Sequence, residues 1–320
     1  MRHNLSMSIV GLHHVTATVD DAQDDLDFCL DGLGLRLVKK TVNFDNHHVY
    51  HFYYGDRRGT PGTVWTTFPY SGRGVPLGKK GAGQVTVTSF SVPTGAFDFW
   101  RTRLGARAVA STDVEPRFGE PAIRFSDRSG LVFELVATDR DDRSPWIPPD
   151  AEDEMSSAAI RGLHSVTIVV RDPEKTIELM TGLLGYAVLD RAGRRIRLGV
   201  NGGGPGKIVD VAHLADAEPA MNGIGTVHHV AMAVDSDSEQ LRLREELIRY
   251  GCKVTEVRDR CYFQSIYFRE PGGTLFEIAT VQPGFTADED VADLGSSLKL
   301  PPWEEPNRAD IEATLARVRT

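Results

Sequence analysis

Two histidine doublets and one glutamate are the residues of this chain best placed to do chemistry. His13 and His14 stand in GLHHVTATV, His228 and His229 in TVHHVAMAV, and Glu277 in GGTLFEIAT. Imidazole nitrogens and carboxylate oxygens are donors that first-row divalent metals take from proteins. Two histidines with one carboxylate make the facial triad of non-haem Fe(II) oxygenases, which leaves positions open for substrate and O2. The doublets raise two questions: which histidine of each pair serves, and how segments so far apart in the chain could meet.

The elements that would carry these residues read as strands. All three strings alternate in polarity and are rich in Val and Thr. Alternation places His14, Thr16 and Thr18 on one face of the first strand and His13, Val15, Ala17 and Val19 on the other. In the second string His229, Ala231 and Ala233 oppose Val230, Met232 and Val234; in the third, Leu275, Glu277 and Ala279 oppose Phe276 and Ile278.

The strand that holds each doublet is one copy of a fourfold repeat. Similar strings begin at Gly11, Gly83, Gly162 and Thr226. Each precedes a short amphipathic helix (DAQDDLDFCLDGLG, PTGAFDFWRTRLG, DPEKTIELMTGLLG, DSEQLRLREELIRYG) that ends at or near a glycine, the usual left-handed cap. Three strands follow, and a turn signal, mostly Pro-Gly, precedes the last. The unit is βαβββ, and the fold class α+β. The four modules span 8–70, 80–140, 161–215 and 224–282. Modules one and two form an N-terminal half (8–140) and modules three and four a C-terminal half (161–282). A Pro-, Asp- and Ser-rich linker (141–160) joins them, and a polar tail (283–320) ends in a short helix from about Ala309.

Four βαβββ units with these strings resemble the vicinal oxygen chelate superfamily, which includes glyoxalase I, fosfomycin-resistance proteins and extradiol dioxygenases. The resemblance implies that modules pair into cupped, barrel-like mixed sheets with a divalent metal in the cup. The bulkier face of each strand then packs under a helix and the smaller, polar face lines the cup. His14, His229 and Glu277 face the cup; His13 and His228 face away unless the strand bulges. Aligned by module, the first-strand cup position reads His14, Val87, Ser165 and His229, and the fourth-strand position Thr66, Glu134, Asp210 and Glu277. Pairing one with two, or three with four, gives one histidine per cup. Pairing one with four gives His14, His229, Glu277 and Thr66. The remaining pair, two with three, holds Val87, Ser165, Glu134 and Asp210 and resembles a retired site. The expectation is therefore two barrels, module one with four and module two with three.

A closer resemblance is to ring-cleaving para-hydroquinone 1,2-dioxygenases. It is carried by LHHVT, GTPGTVWTTFP, VHHVAMAV, DRCYFQSIYFREPGGTLFEIAT and GFTADEDVADLG. It implies metal ligation by His14, His229 and Glu277, with His13, Thr16, His228, Arg260 and Tyr267 around them. The implied metal is Fe(II), though the same triad can bind Mn(II) or Zn(II), and O2 is the co-substrate. His228 is the first acid–base candidate. Arg260 would stabilise oxyanion charge. Tyr267 would donate a hydrogen bond to substrate, water or the ligating carboxylate. The expected activity is extradiol-type cleavage of hydroquinones or related dihydroxy aromatics. The alternatives are a glyoxalase-type isomerase or thiol transferase, against which Thr66 stands in place of a second carboxylate, and a non-catalytic aromatic-ligand-binding protein. His47, His48 and His51 read as structural.

Bulk properties set the frame. The 320 residues are 41% hydrophobic and 25% charged, with a formal net charge of -9. That balance offers no basic stripe for nucleic acid, and no apolar run is long enough for a membrane span. The N-terminus lacks a signal-peptide pattern, and three scattered cysteines fit a reducing compartment. The expected location is cytoplasmic and the expected partner a small aromatic substrate; a homo-oligomer is left open.

Overall fold

The structure, a computed structural model, describes residues 9–320. The residues read for a signal peptide, and residue 8 at the start of the first module, lie outside that range, apart from Ile9 and Val10. Module one comprises β1 (Ile9–Val19), α1 (Ala22–Asp27), β2 (Arg36–Asn43), β3 (Asn46–Gly55) and β4 (Val64–Pro69). Module two comprises β5 (Gln84–Val92), α2 (Phe97–Gly105), β6 (Thr112–Arg117), β7 (Glu120–Ser126) and β8 (Val132–Ala137). The intervening segment carries the short helix α3 (Glu152–Met155). Module three comprises β9 (Gly162–Val170), α4 (Glu174–Gly182), β10 (Ala187–Ala192), β11 (Arg195–Gly199) and β12 (Ile208–His213). Module four comprises β13 (Thr226–Val234), α5 (Asp237–Tyr250), β14 (Arg258–Asp259), β15 (Gln264–Arg269) and β16 (Leu275–Thr280), and the tail adds α6 (Arg308–Thr314).

Two eight-stranded mixed sheets result, each curled into a half-barrel. Their orders are β14-β15-β16-β13-β1-β4-β3-β2 and β10-β11-β12-β9-β5-β8-β7-β6. Module one therefore shares a sheet with module four, and module two with module three. The seams are the antiparallel pairs β1–β13 and β5–β9, while each module's first strand runs parallel to its own fourth. Val15, Ala17 and Val19 enter the main core, as do Val230, Met232 and Val234, the faces that alternation assigns away from the cup. That core joins both sheets: the Trp65 ring of β4 meets the Phe133 ring of β8 edge-on at 5.1 Å. Each such fully buried side chain contributes about 1.5–3 kcal/mol. Three helices are followed by a left-handed glycine, Gly34, Gly185 and Gly251; in module two the helix runs through Gly105 and Ala108 takes that conformation instead.

The tail is tied down. Lys39 of β2, fully buried, holds Asp288 and Glu289 at 2.5 Å each, and Phe285 packs on Tyr53 and Tyr262. Among the described residues no helix is long and apolar enough to cross a membrane.

A carboxyl in the core makes stability depend on pH. Asp25 of α1 is buried, and Tyr54 and Thr67 hydroxyls donate to its Oδ2 at 2.7 and 2.5 Å. Burial outweighs these bonds and raises it from the ordinary 3.8 to about 6. The folded state thus holds a proton that the unfolded chain releases. This contribution is complete below the unfolded value and is lost as pH rises through about 6, an effect on the order of 3 kcal/mol. In urea titrations, Asp25→Asn is expected to gain on the natural protein by that order between mildly acidic and mildly alkaline pH. Parallel stability profiles for the two proteins would overturn this assignment.

Candidate metal centre

The doublets are explained by broken register. Along the β1–β13 seam, Leu12 pairs with Met232 and His14 with Ala231, so His13 is the extra residue of a bulge. On the other strand His229 pairs with Thr16 and Val227 with Ala17, so His228 is extra. The β5–β9 seam repeats the device with Thr86 and His164. A bulge sets two residues against one and bends the strand. Simple alternation turned His13 and His228 away from the cup; the bulges instead bring each within bonding distance of its neighbour. The carbonyl of His13 accepts from Gly62 N at 2.8 Å, in the Pro61-Gly62 turn, where φ of 86° favours glycine.

The bulges orient the imidazoles. His13 Nδ1 lies 2.9 Å from His14 Nδ1, and His228 Nδ1 lies 2.7 Å from His229 Nδ1. That leaves Nε2 of His14 and of His229 pointing at one place, 3.3 Å apart. Glu277 Oε2 joins them, 2.8 Å from His229 Nε2 and 3.3 Å from His14 Nε2. All three residues are buried, and Oε2 accepts no well-formed hydrogen bond. Burial would push Glu277 up, but His14 and His229 beside it hold the carboxyl well below the usual range, so it is ionised.

These donors fit a divalent metal. Three mutually perpendicular ligands about 2.1 Å from one ion stand about 3 Å apart, the spacing found here. If each ligand imidazole gives its Nδ1–H to the neighbouring histidine, both Nε2 atoms and Oε2 present lone pairs to one point. A buried convergence of that kind is costly without a cation. His13 is buried behind His14, its ring 4.9 Å from that of Phe263.

The carboxylate has a support that the sequence reading missed. Ser265 of β15 donates to Glu277 Oε1 at 2.5 Å. Its signal was strand period: Ser265 and Tyr267 lie two apart, and Tyr267 pairs with Glu277. Tyr267, one candidate donor to Glu277, instead accepts from Arg260 Nε at 3.1 Å and sets its ring edge-on to His229. Arg260 also reaches Asp45 at 3.0 Å, clasping the β2–β3 turn to module four. Cys261 beside it has φ of 63°, a region that favours glycine. Thr16 accepts from Thr66 at 2.8 Å, and Thr66 is bonded to His51 at 2.9 Å. His51 therefore belongs to the site rather than to the framework, whereas His47 and His48 anchor the tail through Glu304 and Thr314.

A cavity of about 490 Å³ opens above the triad. His228, Arg260 and Tyr267 line it with His14, His229, Glu277 and His51, and Tyr53, Phe68 and Phe263 form aromatic walls. His13 and Thr16 do not line it; they stand behind His14 and Thr66.

The other cup is lined by ion pairs. Arg117 and Arg124 cover both oxygens of Glu134, and Arg197 covers both of Asp210 at 2.8 and 2.9 Å. Cross-strand register shows one substitution behind the difference. The residues opposite the fourth-strand cup position are Tyr53, Arg124, Arg197 and Tyr267 in modules one to four. Tyrosines stand opposite that position in the first cup, and arginines that hold its carboxylates in the second.

Known proteins resemble this chain along nearly its whole length. Residues 162–278 match the family described as Glyoxalase/Bleomycin resistance protein/Dioxygenase superfamily. The chain is 41% identical over 309 residues to a Bacillus subtilis (strain 168) protein named ring-cleaving dioxygenase MhqE, covering 97% of this chain and 99% of that one. It is 37% identical over 313 residues to the chlorohydroquinone/hydroquinone 1,2-dioxygenase of Sphingobium indicum, covering 96% of each. A solved structure from Bacillus subtilis subsp. subtilis str. 168, titled as a dioxygenase, superposes with a TM-score of 0.90 at 39% identity, covering 98% of this chain and 99% of that one.

Proposed function

This chain belongs to the ring-cleaving dioxygenases of the glyoxalase/bleomycin resistance protein/dioxygenase superfamily, and on that footing we propose that it uses O2 to open the ring of a hydroquinone or related dihydroxy aromatic at an iron(II) centre held by His14, His229 and Glu277. The observation that carries this reading is the convergence of three donor atoms, 2.8–3.3 Å apart, at the floor of an aromatic-walled cavity. When bound there, ferrous iron supplies the redox chemistry by which O2 and an electron-rich ring combine.

The chain's own groups bind and orient. Ser265 fixes the carboxylate through Oε1 and leaves Oε2 for the metal. Because the Tyr267 oxygen accepts from Arg260, its own O–H is free to donate to a substrate oxygen. His228 accepts at Nδ1 from His229, so in its neutral form Nε2 carries the proton and can hand it to, or share it with, a substrate oxygen. Its place in this reading is thus as a donor first, and as a base only if the bond to His229 opens. Phe68, Tyr53 and Phe263 exclude water from the ring.

A glyoxalase-type isomerase finds less support. Thr66 occupies the position of a fourth ligand, and its hydroxyl is committed to Thr16 and His51. A purely binding role leaves the ionised, buried Glu277 without a purpose.

The test is anaerobic purification, loading with Fe(II), and addition of hydroquinone, methylhydroquinone or chlorohydroquinone in an oxygen electrode. One O2 consumed per ring, both atoms entering a linear product with a new absorbance, is the expected result. No O2 uptake across a panel of hydroquinones and catechols, with iron bound, would sink the reading. Isomerisation of a hemithioacetal without O2 would favour the rival.

A further inference from the structure

The second cup holds more positive charge than its carboxylates use. Arg117, Arg124, Arg195 and Arg197 gather around Glu134 and Asp210. Both oxygens of each carboxylate are already taken by three of these arginines. Nearby, Glu120 is held by Arg197 and Arg140, which adds one charge of each sign. Asp190, opposite Arg197 on β10, is a fourth carboxylate on that face, so the five arginines of this set exceed its carboxylates by one.

Arg195 is where the excess shows. Its Nη1 is buried and has no hydrogen-bond partner among the described residues. It stands two residues before Arg197 on β11, and so on the same strand face. The equivalent residues of modules one and four are His51 and Ser265, two before Tyr53 and Tyr267. Each of these bonds its own cup residue, Thr66 or Glu277. Arg195 is the third residue at this position with a polar side chain, and its cup residue, Asp210, is saturated by Arg197. The side chain is only partly buried overall, so solvent reaches part of it. A desolvated guanidinium nitrogen beside a like-charged neighbour is stabilised by an acceptor that also brings negative charge, which water does not.

We propose that the second cup is a binding site for a small oxyanion, seated on Arg195 and Arg117. Phosphate and a dicarboxylate share the required chemistry, a compact group with two negative charges and paired oxygens that match guanidinium forks. The site is separate from the metal centre and does not depend on the ring-cleaving activity.

The experiment is calorimetric titration of the full chain with inorganic phosphate and, separately, with succinate, at fixed ionic strength set by chloride. One site per chain is expected for at least one anion, and whichever binds identifies the source. Arg195→Met, which removes a like charge from the cup and so is expected to fold, should weaken binding by about tenfold or more. Arg195→Lys, which keeps charge but loses the fork, should fall between. His14→Ala should bind the anion unchanged, since the metal cup lies in the other sheet. About 10 mM of the bound anion should raise the melting temperature of the natural protein and not that of Arg195→Met. Failure of both anions to bind, undiminished binding in Arg195→Met, or loss of binding in His14→Ala would each overturn the proposal.

Discussion

Glu277→Ala, purified anaerobically and offered Fe(II), is expected to hold iron at least ~10³-fold more weakly and to show no O2 uptake with hydroquinones. The substitution removes the only anionic donor of the triad. What remains is two imidazole nitrogens 3.3 Å apart, which no longer define a face of a coordination shell. The fold should survive. Glu277 is a fully buried carboxylate whose partners are His14, His229 and Ser265. Deleting a buried charge that lacks its cation relieves a desolvation cost instead of adding one. The metal-free variant should therefore melt no lower than the metal-free natural protein, while the natural protein alone gains stability on adding Fe(II). Iron stoichiometry and melting curves measured together separate loss of the ligand from loss of the fold. Ser265→Ala gives the graded case: the carboxylate remains but can rotate, and a loss of about 10–100-fold in affinity is expected. Full iron occupancy in Glu277→Ala would overturn the ligand assignment.

That triad was legible in the sequence because it follows from repeats and polarity. A βαβββ unit copied four times fixes equivalent positions, and only one pairing of the copies gives two histidines a common carboxylate. The seam between β1 and β13 follows from that pairing. Bulges were harder to read. An extra residue leaves no mark in hydrophobic alternation except the doublet itself, and a doublet equally suits one ligand beside a framework residue. The supports were harder still. Ser265 is an ordinary serine in an ordinary strand, and its bond to Glu277 depends on cross-strand register. Asp45 meets Arg260 from a turn 215 residues away. His51 looked like one of three similar histidines, yet two of those hold the tail and one faces the cavity. The second cup was recognised as lacking a ligand set. The arginines that line it lie on the third strands of its modules and on β6, positions no ligand alignment inspects.

His228→Ala and His13→Ala should differ although the two doublets are copies. Both residues hold the Nδ1 of a histidine of the proposed triad, so both variants should bind iron about 10–100-fold more weakly. Their other nitrogens lead to different places. His13 is buried against Phe263 and does not line the cavity, so no ring bound there reaches it. His228 is only partly buried and lines the cavity. Its Nε2 is thus the one doublet nitrogen, besides the two proposed to ligate the metal, that a bound ring could touch. With iron supplied until both variants are saturated, His13→Ala should recover kcat to near the natural value. His228→Ala should remain about 10²–10³-fold low, the usual contribution of a positioned proton donor. Its KM should move less than its kcat, because the donor matters most where charge develops on the substrate oxygen. His228→Gln retains an N–H donor of similar reach and should recover part of the loss. Equal kcat for the two saturated alanine variants would mean that both neighbours only orient ligands, and that the proton comes from Tyr267 or from solvent.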